Sequence, residues 1–149
     1  MFRSLYTAVL IFAFCAKFLA AEGGIQTLNA STIRFSQSSV NGVGQIVDSM
    51  AANGWQGGPV TVVQMADDGL TTVDNTRVLA ASLTGTPVQA TIVDAGTTID
   101  ASQAIRFVGP NGELPTTWGD AVLNRIGNQN NLFRTTYPSG SPFTGVSKW

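Results

Sequence analysis

The stretch DGLTTVDNTRVLAA, residues 68–81, decides how this chain is read. A short threonine-rich strand, residues 70–73, runs directly into Asp74-Asn75-Thr76-Arg77, and an apolar run at helical spacing comes directly after. A helix start leaves backbone N–H groups unpaired and carries a partial positive charge. Asp74 suits the capping position, and Arg77, three residues on, is close enough to pair with it on the helix surface. That gives one reading, a strand-to-helix connection with a good cap. The other takes the same helix start as an anion pocket, with Arg77 neutralising a phosphate and Asn75 serving as a neutral donor. Asp74 opposes the second reading unless its carboxylate turns away.

Working outward, residues 32–37 (TIRFSQ) alternate Ile33 and Phe35 with Arg34 and Ser36 and read as a first strand. QSSVNG supplies cap residues for a helix carrying Val43, Ile46, Val47 and Met50, which Asn53-Gly54 ends. Residues 59–65 are a β-branched strand opened by Pro59, and Asp68-Gly69 predicts a hairpin turn into residues 70–73. A helix from about Asn75 to Leu83 stops at Gly85, and residues 87–94 form another strand. The order strand, helix, hairpin, helix, strand predicts a small mixed sheet in an α+β (mixed α/β) domain. Residues 95–109 read as a short helix and a loop. Thr117 and Asp120 then form a capping box before a helix with Trp118, Ala121, Val122 and Ile126 on one face. The remaining tail is rich in turn residues and reads as a surface wrap.

Arg3, the apolar run from Leu5 to Ala16, and the small residues Ala20 and Ala21 have the three-part pattern of a secretory signal peptide, residues 1–21, cleaved after Ala21. Lys17 leaves the run short of the roughly 20 apolar residues of a membrane span. An uncleaved anchor is the competing reading. Residues 22–31 read as a flexible leader, and residues 32–149 as a single exported domain with no membrane attachment after cleavage. Losing residues 1–21 removes Arg3, Lys17 and the single cysteine, Cys15. The remainder is mildly acidic and folds without a disulfide. Such a chain has no general electrostatic pull on nucleic acid, so any such contact is local.

The sequence contains no histidine. That excludes Ser-His-Asp, Cys-His and paired-histidine chemistry. With no cysteine after cleavage, zinc and most transition metals also lack ligands. The carboxylates are scattered apart from Asp67-Asp68, which the hairpin turn accounts for, so no metal is implied.

The order of these residues resembles the ParB/sulfiredoxin-like superfamily, and more closely the variants carried as end domains of polymorphic toxins and secreted effectors. The resemblance rests on Asp74, Asn75, Arg77, Leu79, Ala80 and Ala81, with flanking matches at Ile33, Ser36, Gln37, Asn53, Gly54 and Trp55. It covers roughly residues 32–94, and residues 116–121 and 140–142 look similar to the ends of such domains. Thr76 stands where a second arginine is common. The chain has neither the Gly-Glu-Arg-Arg type of motif of partition proteins nor the catalytic cysteine of sulfiredoxins, so neither of those activities is implied.

The resemblance does imply a nucleotide or nucleic-acid phosphate site at the DNTR helix start. In it Arg77 neutralises charge, Asn75 positions the ligand and Gln37 orders the site. Nuclease or nucleotide-dependent activity is the family possibility, with Asp74 as the nearby base. A carboxylate of ordinary acidity, near pKa 4, is a poor base for that task. Ser36 to Ser39 read either as pocket lining or as a helix cap. Arg125 and Gln129, four apart, read as a second polar wall or as a solvated helix face. Trp55 and Trp118 read as base-stacking groups or as buried packing. The rival class is a non-catalytic secreted protein that uses the same scaffold for binding or structure.

Overall fold

The computed structural model describes residues 24–149; the expected signal peptide lies outside them. β4 (Val60–Gln64) reads VTVVQ because it is buried on both sides. Val60 and Val62 face one core and Val63 faces another. Near-continuous apolar character is what a central strand covered on two faces demands. Around it runs a five-stranded mixed sheet in the order β1 (Ile25–Leu28), β6 (Val88–Asp94), β4, β5 (Leu70–Thr72), β2 (Ile33–Phe35). β4 is parallel to β6 and antiparallel to β5, β5 is parallel to β2, and β1 is antiparallel to β6.

Helices cover both faces, so the α+β expectation holds. On one side α1 (Val43–Asn53) and α2 (Asn75–Thr84) bury Val43, Met50, Val78 and Leu79 against Ile33, Phe35, Val60 and Val62. On the other, α3 (Ala101–Ala104), α4 (Trp118–Gly127) and α5 (Asn131–Thr136) close over Val63, Met65 and Val73 with Phe107, Val122, Ile126 and Phe133. Each fully buried valine contributes roughly 1.5–3 kcal/mol relative to exposure. α1 ends at Gly54 and α2 at Gly85, whose φ of 67° is the left-handed value a glycine adopts freely. Thr117 and Asp120 form the expected capping box. In the 66–69 turn Asp68, rather than the glycine, takes the positive φ.

The leader expectation is corrected from Ile25 onward. Residues 25–28 pair with β6 in register from Ile25↔Thr91 to Leu28↔Val88. The edge strand is only half covered: Ile25 and Thr27 are exposed, Gln26 and Leu28 are half-buried, and Leu28 packs onto the core. The tail likewise holds more regular structure than a surface wrap. Besides α5, β7 (Gly145–Lys148) pairs in parallel with β3 (Ser39–Asn41) as a separate two-stranded sheet. Ser39–Asn41 is therefore strand rather than helix cap, and Gly42 caps α1 instead. Among the described residues no helix is long and apolar enough to cross a membrane.

Gly119 tests the docking of α4. Its N–H donates to the Ala95 carbonyl oxygen at 2.8 Å, and a Cβ there would meet that same oxygen at 2.8 Å. Glycine to alanine inside a helix normally stabilises by up to about 1 kcal/mol. Here the backbone of Ala95 blocks the methyl, so Gly119→Ala is expected to lower stability by about 1–3 kcal/mol in urea denaturation. A neutral or stabilising result would mean that α4 is not seated on Ala95.

Candidate functional site at the start of α2

β2 and β5 run parallel and end side by side, and a buried polar link joins the residues just beyond their ends. Ser36, immediately after β2, is fully buried, and so is nearly all of Asn75, the first residue of α2. The Ser36 backbone N–H donates to Asn75 Oδ1 at 2.8 Å, and Asn75 Nδ2 donates to Ser36 Oγ at 3.0 Å. Ser36 Oγ in turn donates to the Thr72 carbonyl at 2.7 Å. Buried amide and hydroxyl groups need such partners, because each one left unpaired costs about 1–3 kcal/mol. Asn75 faces into the protein; Ser36 acts as neither pocket lining nor cap.

The next residues secure the outside of the same helix start. Asp74 turns back onto it. Its Oδ1 accepts from the Arg77 backbone N–H at 3.5 Å, and its Oδ2 accepts from Arg77 Nε at 2.8 Å. Arg77 Nη1 donates to the Gly58 carbonyl at 2.8 Å, and its guanidinium carbon lies 5.2 Å from the Trp55 ring centroid. Asp74 and Arg77 therefore form the cap-and-pair arrangement, with both side chains a little over one quarter exposed. Arg77 also ties the Gly-rich 56–58 link and Trp55 to α2, which accounts for a tryptophan in that link. The Trp55 indole N–H is buried without an acceptor among the described residues.

Gln37 comes next after Ser36 and is half-buried. Its carbonyl accepts from Thr144 Oγ1 at 2.8 Å, while its side chain makes no hydrogen bond among the described residues. Ser38 then meets the segment just beyond α4: its N–H and its hydroxyl both donate to Gln129 Oε1 at 3.0 Å. Gln129 Nε2 returns to the Arg125 carbonyl at 3.0 Å. Gln129, two residues beyond the end of α4, thus borders Ser38, and its bond to the Arg125 carbonyl ties it back to the last turn of the helix. The side chain of half-buried Arg125 makes no hydrogen bond or ion pair among the described residues, and its guanidinium carbon sits 4.9 Å from the Phe107 centroid. Burial lowers its pKa, the positive charge of Arg106 lowers it further, and the carboxylate of Asp74 pulls the other way.

The structure thus gathers all four sequence candidates, Gln37, Asp74, Asn75 and Arg77, into one region. Asn75 and Arg77 are engaged inside the protein, whereas the Gln37 side chain and Arg125 remain available. Arg106 was not singled out by the sequence, because nothing in the 95–109 stretch signals which way a lone arginine points. Trp118 packs edge-on against Phe107 with centroids 6.0 Å apart, as interior packing. Asp67 makes a bidentate pair with Arg34, at 2.7 and 2.8 Å, and caps the Gly69 N–H. An open cleft of about 430 Å³, lined by residues 27–31, 81–82 and 85–87, lies at the opposite, C-terminal end of α2.

No family model matches the chain, and no curated protein matches it. Among solved structures it is similar to sulfiredoxin from Arabidopsis thaliana, with a TM-score of 0.41 and 20% identity, covering 56% of this chain and 93% of that one. It is also similar to a protein from Agrobacterium tumefaciens, with a TM-score of 0.38 and 17% identity, covering 77% of this chain and 66% of that one.

Two outcomes test this geometry. Asn75→Ala strands the Ser36 N–H, while the Ser36 hydroxyl keeps its bond to the Thr72 carbonyl, so the urea midpoint should fall by the equivalent of about 1–3 kcal/mol. A loss below about 0.5 kcal/mol would show that the link is dispensable. The second concerns acid. Arg34 and the Gly69 N–H hold the Asp67 carboxyl at about 2, below its ordinary 3.8. A depressed folded-state pKa gives stability that is present above the unfolded value and lost as pH falls through the folded one. Part of the acid loss between about pH 4 and 2 should therefore vanish in Asp67→Asn, measured as melting temperature against pH. Identical profiles would show that the pair does not couple to folding.

Proposed function

We propose that this domain is a non-catalytic secreted binding module of ParB/sulfiredoxin-like type. It receives a phosphate group of a nucleotide or nucleic acid on the face between residues 36–38, the start of α2, and Arg125 in the last turn of α4 with Gln129 just beyond it. The observation that carries this reading is Arg125. A half-buried guanidinium keeps its charge in proteins and normally finds a carboxylate. This one has none among the described residues, and Asp74, which acts on it electrostatically, is already neutralised by Arg77. An incoming phosphate meets Arg125 as its counter-ion and the free Gln37 amide as a neutral donor, with the positive end of α2 nearby. Secretion rests on the signal-peptide pattern of residues 1–21, and the family assignment on the order of residues around DNTR.

A nuclease is the toxin-type alternative, but no observation favours it. Asp74, the only base the sequence offered there, is committed to the Arg77 N–H groups. The binding reading assigns Arg77 to holding the scaffold and Arg125 to holding the ligand. This reverses the weight the sequence resemblance gave Arg77.

The two roles separate in a thermal-shift experiment with phosphate, nucleoside triphosphates and short RNA. A ligand at a hundred times its Kd stabilises by about 2.7 kcal/mol, enough to raise the melting temperature by several degrees. Arg125→Ala is expected to abolish that rise. Arg77→Ala is expected to lower the starting melting temperature while leaving the rise intact. The proposal is wrong if no ligand shifts the folded protein, or if Arg77→Ala alone removes the shift.

A further inference from the structure

Arg125 is not the only unpaired cation on its ring. Arg106 closes the 3-10 turn of residues 105–107 after α3, and its guanidinium carbon lies 5.3 Å from the Phe107 centroid, against 4.9 Å for Arg125. Two cations tied to one ring at those distances are at most about 10 Å apart. Phe107 itself is only 2% exposed and is fixed edge-on by Trp118. It is therefore a rigid post for both guanidiniums.

Like charges held this close repel, and the repulsion is felt: Arg106 helps lower the pKa of Arg125. Apart from a 2.9 Å bond from Arg106 Nη1 to Gln103 Oε1, nothing polar steadies the pair among the described residues. The carboxylates of the surrounding segments are all engaged elsewhere. Asp100 caps α3 through Ser102, and Glu113 turns back to the Asn111 N–H. Asp120 closes the capping box of α4, and Asp74 holds Arg77. The fold thus leaves two guanidiniums on one ring with no anion supplied from within the described residues.

We infer that Arg106 and Arg125 act together to select a ligand carrying two linked phosphoryl groups over one carrying a single phosphate. The inference rests on the phosphate reading of the Arg125 face and adds the ligand class and the residue that sets it. A single phosphate satisfies the fork of one guanidinium. Two phosphoryl groups joined through oxygen carry enough charge and enough acceptor oxygens to engage both, one fork each, and binding them removes the repulsion. Because Phe107 holds both side chains in advance, little rotamer freedom remains to be lost on binding.

Calorimetric titration of the protein with inorganic pyrophosphate and with orthophosphate, at matched low ionic strength, tests this. Pyrophosphate should bind about tenfold or more tightly than orthophosphate. Arg106→Gln should bring pyrophosphate affinity down to near the orthophosphate value and leave orthophosphate binding unchanged. Arg106→Lys, which keeps the charge without the fork, should restore part of the preference. If Arg106→Gln leaves both anions unaffected, or weakens both equally, the selection is overturned while phosphate binding at Arg125 stands. If neither anion binds the folded wild-type protein, the phosphate reading and this inference fall together.

Discussion

The arrangement depends on one buried exchange, that between Asn75 and the Ser36 backbone and hydroxyl. It ties the end of an edge strand to the first turn of α2 with donors and acceptors matched on both sides. A carboxylate at position 75 would supply the acceptor but not the amide donor, and would introduce charge where nearly all solvent is excluded. Once this link is in place, the chain after Ser36 has little freedom. Gln37 is held by Thr144, Ser38 by Gln129, and Phe35 exchanges backbone hydrogen bonds with Ser141 at 2.7 and 2.8 Å. The C-terminal tail and α4 are therefore positioned by the same few residues that position α2.

That dependence assigns the DNTR segment mainly to structure. Asp74 caps, Asn75 links and Arg77 fastens the 56–58 link under Trp55, so three of its four residues have internal partners. In the proposed binding role, recognition falls to the residues that border the segment.

Much of the central fold was legible because its signals are local. The 43, 46, 47, 50 spacing with Gly54 beyond it, the Asp-Gly turn, and Thr117 with Asp120 each specify geometry within one or two turns of chain. The parts that were not legible depend on partners distant in sequence. β1 becomes a strand only because β6 offers an edge some 60 residues later, and β3 only because residues 145–148 return beside it. Strands of three or four residues with one or two apolar side chains have too few positions to show a period.

The candidate site divides along the same line. That Asp74 and Arg77 stand three apart on a helix is visible in the sequence, and so is their ability to pair. That the Arg125 side chain lacks a partner among the described residues is not, because being unpaired is a property of every side chain around it. Arg125 and Gln129 look like any i, i+4 polar pair until Ser38 is seen against the glutamine and Phe107 under the arginine. A cation seated on an aromatic face gains some stabilisation from the ring, yet that contact leaves its N–H donors free in the plane of the guanidinium. Phe107 can therefore hold Arg125 in place without satisfying it. The same side chain is then both ordered by the fold and open to an anion, and that combination distinguishes the α4 face from the internally paired start of α2.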